Sequence, residues 1–115
     1  MESRSLDVEG IRMRWDEHGE GPAVVVFLHG FPTSPALWRH VVPKLSGVRS
    51  LAFEMVGYGR SIPEGRGRDI SVARQAGYAA AWMRAIGVSR AIFCGHDLGG
   101  GVAQLDIFFD EARAF

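Results

Sequence analysis

Arg90-Ala91-Ile92-Phe93-Cys94-Gly95-His96-Asp97-Leu98-Gly99-Gly100-Gly101-Val102-Ala103-Gln104-Leu105 runs from an apolar segment, through a glycine-rich turn, into a helix-compatible segment. Its middle reads Gly-x-Asp-x-Gly at a strand-to-helix turn, the nucleophile-elbow pattern with aspartate where serine is usual. Such a turn strains its central residue, and a side chain at Gly95 or Gly99 is expected to collide with its neighbours. The strain lifts the Asp97 side chain above the sheet. The first amides of the following helix point toward whatever binds there. The plainer alternative is a glycine-rich helix start with a capping aspartate. The strand pattern before the turn and the helix pattern after it are the context that the elbow requires.

Aspartate at this position changes the chemistry. A serine needs a base to become a nucleophile, whereas a carboxylate with an ordinary pKa of about 3.9 is already ionised at neutral pH. It is a poor attacker of amides and esters, because it leaves readily from the adduct. It can displace a leaving group from saturated carbon, or open a strained ring, and so form an alkyl ester. Water must then break that ester at the aspartate's own carbonyl, which needs a general base and an oxyanion hole. An elbow aspartate therefore points to small apolar electrophiles such as epoxides and haloalkanes.

Composition bounds the rest. The chain has 115 residues, 47% hydrophobic and 23% charged, with a formal net charge of +0, which describes a soluble globular chain of one domain at most. Its 13 basic residues are scattered among 13 acidic ones, giving neither a nucleic-acid stripe nor a membrane-seeking face. The apolar run Ala23 to Leu28 is too short to span a bilayer. Met1 to Ser5 opens with no apolar signal region, so the cytoplasm is the expected compartment. Cys94 is the single cysteine, which excludes an internal disulfide; at the end of a buried-looking strand it is expected as a small core residue. No metal and no cofactor is expected.

Ser5 to Val8 and Ile11 to Asp16 alternate around Glu9-Gly10 and predict a hairpin with one wet face. Glu17 to Pro22 reads as a loop in which His18 is solvated. Ala23-Val24-Val25-Val26-Phe27-Leu28 is continuous and β-branched, as in a central parallel strand buried on both faces. Ser34 and Pro35 then predict the start of a helix carrying Leu37, Trp38, Val41, Val42 and Leu45, with Trp38 and His40 as packing and surface residues. Val48 to Glu54 reads as a strand, Met55 to Ser61 as a tight loop, and Ile62 to Arg68 as irregular exposed chain. A helix follows from Ser71, with Val72, Ala76, Ala79, Ala80, Met83 and Ile86 on one face and Gly87 as its stop. Val88 to Cys94 is the strand leading to the turn, and Leu105, Phe108, Phe109 and Ala112 continue a helical stripe beyond it. Strand and helix alternating after a hairpin predicts an α/β layered fold with a mostly parallel sheet and helices on both faces. Ligands in such sheets bind beyond the carboxyl ends of the strands, where His29 to Ser34, Glu54 to Ser61 and the Asp97 turn all lie.

His29-Gly30-Phe31-Pro32, Gly57-Tyr58-Gly59-Arg60-Ser61 and Gly95-His96-Asp97-Leu98-Gly99-Gly100 stand in the order and spacing of the N-terminal part of the α/β-hydrolase superfamily. The chain resembles most the branch of epoxide hydrolases and haloalkane dehalogenases, from about Trp15 to Gln104. The resemblance implies Asp97 as nucleophile and the amides of Phe31 and Leu98 as the oxyanion hole. His29, Gly30, Pro32, Gly95, His96 and Gly99 support the motif. Haloalkane dehalogenases commonly follow the nucleophile with tryptophan and often place asparagine in the early turn. Here Leu98 and Phe31 stand there, and neither side chain donates a hydrogen bond to a halide. That tilts the reading to epoxides, with a haloalkane or haloacid dehalogenase as the alternative. Glu54 departs from the family's usual aspartate.

The family order is nucleophile, acid, histidine. His18, His29, His40 and His96 all precede Asp97, and Asp106, Asp110 and Glu111 follow it on the departing helix. Residues 1–115 are accordingly expected to form a single partial α/β-hydrolase domain, a fragment without lid, catalytic acid or base. Alone it is expected to be inactive, or a remnant that binds without turnover. Its last strand is expected to be an exposed sheet edge through which the chain self-associates.

Overall fold

Glu9 and Gly10 both take positive φ, 52° and 82°. That is the two-residue turn whose twist matches the strands it joins. It pairs β1 (Glu2–Val8) antiparallel with β2 (Ile11–His18), Val8 opposite Ile11. Alternation along β2 turns Ile11, Met13 and Trp15 into the core. His18 pairs with Ser50 and is half-buried, so it belongs to the strand and not to the loop expected there. The structure, a computed structural model, describes residues 1–105. The stripe at Phe108, Phe109 and Ala112, and the acidic Asp106, Asp110 and Glu111, lie outside the described residues.

β3 (Ala23–Leu28) lies parallel between β4 (Val48–Glu54) and β5 (Ile92–Gly95), and the sheet order is β1-β2-β4-β3-β5. The sheet is therefore mixed, with a parallel core of three strands extended by the antiparallel hairpin. Successive β3 side chains serve different cores: Val26 and Leu28 one, Phe27 the other. That two-sided burial is the reason the run is continuously apolar.

α1 (Val72–Ala85) starts where the Ser71 hydroxyl accepts the Arg74 amide at 3.4 Å, and Gly87 follows it with φ 78°. Ala76, Ala79 and Met83 face the sheet as expected. Trp82, outside the expected stripe, is fully buried with its ring centroid 4.6 Å from Phe53 and 5.5 Å from Trp15. α2 covers 98–105 among the described residues and adds Val102 and Ala103 to the same core.

The opposite face buries Phe27, Trp38, Val42 and Ala52. The helix expected over 35–45 is two short 3-10 turns, Pro35–Trp38 and Val42–Lys44. Pro43 supplies no amide hydrogen, and its ring would clash with the carbonyl four residues earlier, so one α-helix cannot run through. Ser34 still caps the first turn, accepting the Ala36 amide at 3.3 Å, and Trp38 packs on Phe27 at 5.0 Å. A third 3-10 stretch, Gly59–Gly65, occupies part of the chain expected to be irregular. Val88 is buried ahead of β5, but pairing with β3 begins only at Ile92. Among the described residues β5 is an outer strand, with Ile92 61% exposed. No described helix is long and apolar enough to cross a membrane.

Candidate active site

Three loops meet beyond the carboxyl ends of the parallel strands. In the loop after β5, the His96 amide donates to the Leu28 carbonyl at 3.0 Å, carrying the strand ladder one residue onward. Asp97 then takes φ 57°, a left-handed conformation uncommon for a residue with a side chain. The Gly99 amide donates to the His96 carbonyl and the Gly100 amide to the Asp97 carbonyl, both at 2.9 Å, which starts α2. The expected glycine collisions are present. A Cβ at Gly99 would lie 2.0 Å from the Leu28 carbonyl oxygen, and one at Gly95 would lie 2.3 Å from that of Gly99. Gly30 is a third case, since a Cβ there would sit 2.6 Å from the Asp97 Cβ. Backbone therefore packs against backbone, and Asp97 is left at the exposed apex.

The loop after β3 turns back on Gly30, whose carbonyl accepts the Thr33 amide at 2.9 Å and the Thr33 hydroxyl at 2.7 Å. This turn aims the Phe31 amide at Asp97, and it donates to Oδ2 at 3.1 Å. Pro32 is joined to Phe31 by a cis peptide bond. The Phe31 side chain is 65% exposed and Leu98, the residue after Asp97, is 37% exposed. A carboxylate held by one amide thus sits beside apolar surface.

His29 is completely buried beneath this turn. Its Nε2 accepts the Met55 amide at 3.0 Å, which leaves the proton on Nδ1 to be donated to the Gly30 carbonyl at 3.1 Å. Burial pushes its pKa down, against the opposing pull of the Gly30 hydrogen bond and the Glu54 charge. His29 is thereby a neutral clamp between the loops after β3 and β4.

The loop after β4 is held by side chains that periodicity does not single out. Gln75, buried on α1, accepts the Val56 amide at 3.1 Å and donates to the Val56 carbonyl at 2.6 Å. Glu54, also buried, accepts the Ser61 hydroxyl at 2.7 Å and Arg60 Nε at 3.2 Å. Arg60 reaches on to Asp16 at 3.3 Å and to the Ser3 hydroxyl, tying the loop to the hairpin. These bonds hold Tyr58, whose ring lies 5.4 Å from His29 and 6.3 Å from Phe31 between centroids. Burial, and then the Asp97 charge, push the Tyr58 phenol above its usual range.

The structure thus brings His29, Gly30, Phe31, Pro32, Gly95, His96, Asp97, Leu98 and Gly99 to one sheet edge. Gln75, Glu54 and Tyr58 join them. Gln75 had a legible signal, a polar residue one position before Ala76 in an otherwise apolar stripe. Among the described residues no group of three His, Cys, Asp or Glu could hold a metal ion.

A parallel core, an antiparallel hairpin and a strand–turn–helix with aspartate at its apex define a class of fold. A family model described as the alpha/beta hydrolase fold matches residues 23–105, and the chain belongs to that family. It is 36% identical over 105 residues to the bifunctional epoxide hydrolase 2 of Sus scrofa, covering 89% of this chain and 19% of that protein. It is 37% identical over 91 residues to a haloalkane dehalogenase of Agrobacterium fabrum, covering 78% of this chain and 29% of that one. The crystal structure of an epoxide hydrolase from Vigna radiata matches with a TM-score of 0.77 at 34% identity, covering 96% of this chain and 36% of that one. The resemblance to the epoxide hydrolase and haloalkane dehalogenase branch is borne out. The chain spans well under half the length of each of these relatives.

Proposed function

We propose that Asp97 is the nucleophile of a hydrolase acting on small apolar electrophiles, epoxides first, through an alkyl-enzyme ester. The observation that carries this reading is the Asp97 apex at φ 57° with the Phe31 amide 3.1 Å from Oδ2. One carboxylate oxygen is held, and Oδ1 is left to attack saturated carbon. The Oδ1–carbon bond forms as the ring carbon–oxygen bond breaks, and the ring oxygen leaves as an alkoxide that takes a proton from solvent. When water later attacks the ester carbon, negative charge collects on Oδ2. The Phe31 and Leu98 amides form the oxyanion hole there.

His29 is not the base for that second step. Its Nε2 is already occupied by the Met55 amide, and its Nδ1 by the Gly30 carbonyl. The other described histidines are not drawn into the site by any hydrogen bond to Asp97. The 115-residue chain alone is accordingly proposed to stop at the ester, without turnover. A haloalkane or haloacid dehalogenase is the second reading, supported by the Agrobacterium relative. The Phe31 and Leu98 side chains, with no donor for a halide, favour the epoxide. A protein that binds without reacting is a third. The proposed partners are the small electrophile and, through the outer edge of β5, a second copy of the chain.

Incubation of the purified chain with a terminal alkyl oxirane, acid quenching and mass spectrometry test the reading. The expected result is a stable adduct of the full oxirane mass on the Asp97 peptide, absent in Asp97→Asn. A bromoalkane adding only its alkyl group, faster than the oxirane reacts, selects the dehalogenase. An adduct elsewhere with Asp97 unmodified sinks the assignment, and no adduct in any condition selects binding without reaction. Multiple turnover abolished by Asp97→Asn would overturn the claim of inactivity.

A further inference from the structure

Tyr58 is not part of the chemistry just described, yet the fold takes trouble to fix it. Its amide donates to the Met55 carbonyl at 3.1 Å, and its carbonyl accepts the Ser61 amide at 2.7 Å. Ser61 and Arg60 are tied to buried Glu54, and Val56 is held on both its backbone groups by buried Gln75. Gly59 is part of the same device, because a Cβ there would lie 2.5 Å from Glu54 Oε2. The Tyr58 ring is left edge-on to Phe31, at 90° and 6.3 Å between centroids. Phe31 is the residue whose amide holds Asp97, and its own ring is 65% exposed. Open aromatic surface therefore belongs to the very residue whose amide holds the carboxylate, with the Tyr58 ring edge-on behind it.

We propose that Tyr58 and Phe31 form an aromatic wall beside Asp97 that selects electrophiles carrying an aryl substituent. The proposal rests on Asp97 as nucleophile for its substrate class. An aryl group laid against the exposed ring gains stacked or edge contacts in addition to buried area, whereas an alkyl group gains area alone. Tyr58 acts by holding the Phe31 ring, so its ring matters and its hydroxyl does not.

Two measurements separate this wall from the nucleophile beneath it. The first is binding of non-electrophilic 1-phenyl-1,2-ethanediol against 1,2-hexanediol, followed by NMR shifts. The second is the alkylation rate of Asp97 by phenyl oxirane against n-butyl oxirane. Each ratio in a variant is divided by that of the unaltered chain, so intrinsic reactivity cancels. The phenyl diol is expected to bind about two- to tenfold tighter. Tyr58→Phe should keep both ratios, while Tyr58→Leu and Phe31→Leu should each bring them down by about that factor. Equal binding of the two diols, ratios unmoved by both leucine variants, or ratios lost in Tyr58→Phe would each overturn the wall. A diol preference that the leucine variants remove, with no alkylation of Asp97, supports the wall and overturns the nucleophile alone.

Discussion

His29 shows how much one residue's protonation state carries in this fold. The ring joins two loops only while Nε2 is bare, because an imidazolium has no lone pair to accept the Met55 amide. Its pKa is lowered, chiefly by burial, from an ordinary 6.5. Between that lowered value and 6.5, the unfolded chain binds a proton that the folded chain does not. Stability from this group is therefore complete above about pH 6.5 and drains away as pH falls toward the folded value, at up to about 1.4 kcal/mol per pH unit. Glu17 is kept apart by its window. Burial works to raise its pKa, but hydrogen bonds from Arg49 and Trp15 and the charges of Arg49 and Arg4 outweigh it, so it loses stability only below about its ordinary 4.5. Urea denaturation from pH 7.5 down to 5 should show the midpoint dropping in the unaltered chain. His29→Gln should be less stable throughout, by about 1–3 kcal/mol for the disturbed buried amide, but flat over this range. An equal slope in the two proteins would mean that another group titrates.

The turn from β5 into α2 is an element built from backbone proximity, and its glycines are not equivalent. Gly99 has no room, with the Leu28 carbonyl oxygen 2.0 Å from any added Cβ, whereas the nearest atom to a Cβ at Gly100 is 4.0 Å away. Gly99→Ala should therefore destabilise the chain by about 3 kcal/mol or more, if it folds at all. Gly100→Ala, on the helix, should be neutral or stabilising by up to about 1 kcal/mol. Chemical denaturation of the two variants side by side checks the contrast, and similar losses in both would refute it. This turn was legible in the sequence because its glycines answer a local steric demand. Ala23–Leu28 was legible for a related reason: burial on two faces leaves a continuous apolar run as its only solution. The segment from Pro35 to Leu45 was not, because helical spacing of its apolar residues competed with Pro43, and the proline decided. β5 came out shorter than its apolar run because strand length is set by the partner's register, which begins at Val25 opposite Ile92. Gln75 stood out as a polar residue in an apolar stripe, but periodicity names no partner for it, and it gave no sign of Glu54 as a loop anchor. Their meaning lies in backbone groups 19 residues away and in side chains 6 and 7 residues away.

Across the whole sheet, the two outer strands among the described residues are treated differently. β1 carries Glu2, Arg4 and Asp7, and ion pairs of Arg4 with Glu2 at 3.2 Å and of Arg12 with Asp7 at 3.1 Å crowd it with charge. Charge on an outer strand discourages pairing with another chain. β5, Ile-Phe-Cys-Gly, has no charged residue. It pairs on one side with β3, its Ile92 is 61% exposed, and a groove of about 310 Å³ lined by Pro22, Ala23, Val24, Arg90, Ala91 and Ile92 runs beside it. A formal net charge of +0 adds no general repulsion between copies at neutral pH. Association should therefore run through β5 and spare β1. Size-exclusion chromatography with light scattering should give a mass above that of one chain, rising with concentration. Near-UV circular dichroism on Trp15, Trp38 and Trp82 tells packed copies from molten ones. Ile92→Lys places a charge on an already exposed side chain, so it should lower the mass without lowering stability. Leu6→Lys, on the guarded strand, should leave the mass unchanged. A single-chain mass at every concentration, or association that Ile92→Lys does not weaken, would show that β5 is closed by other means.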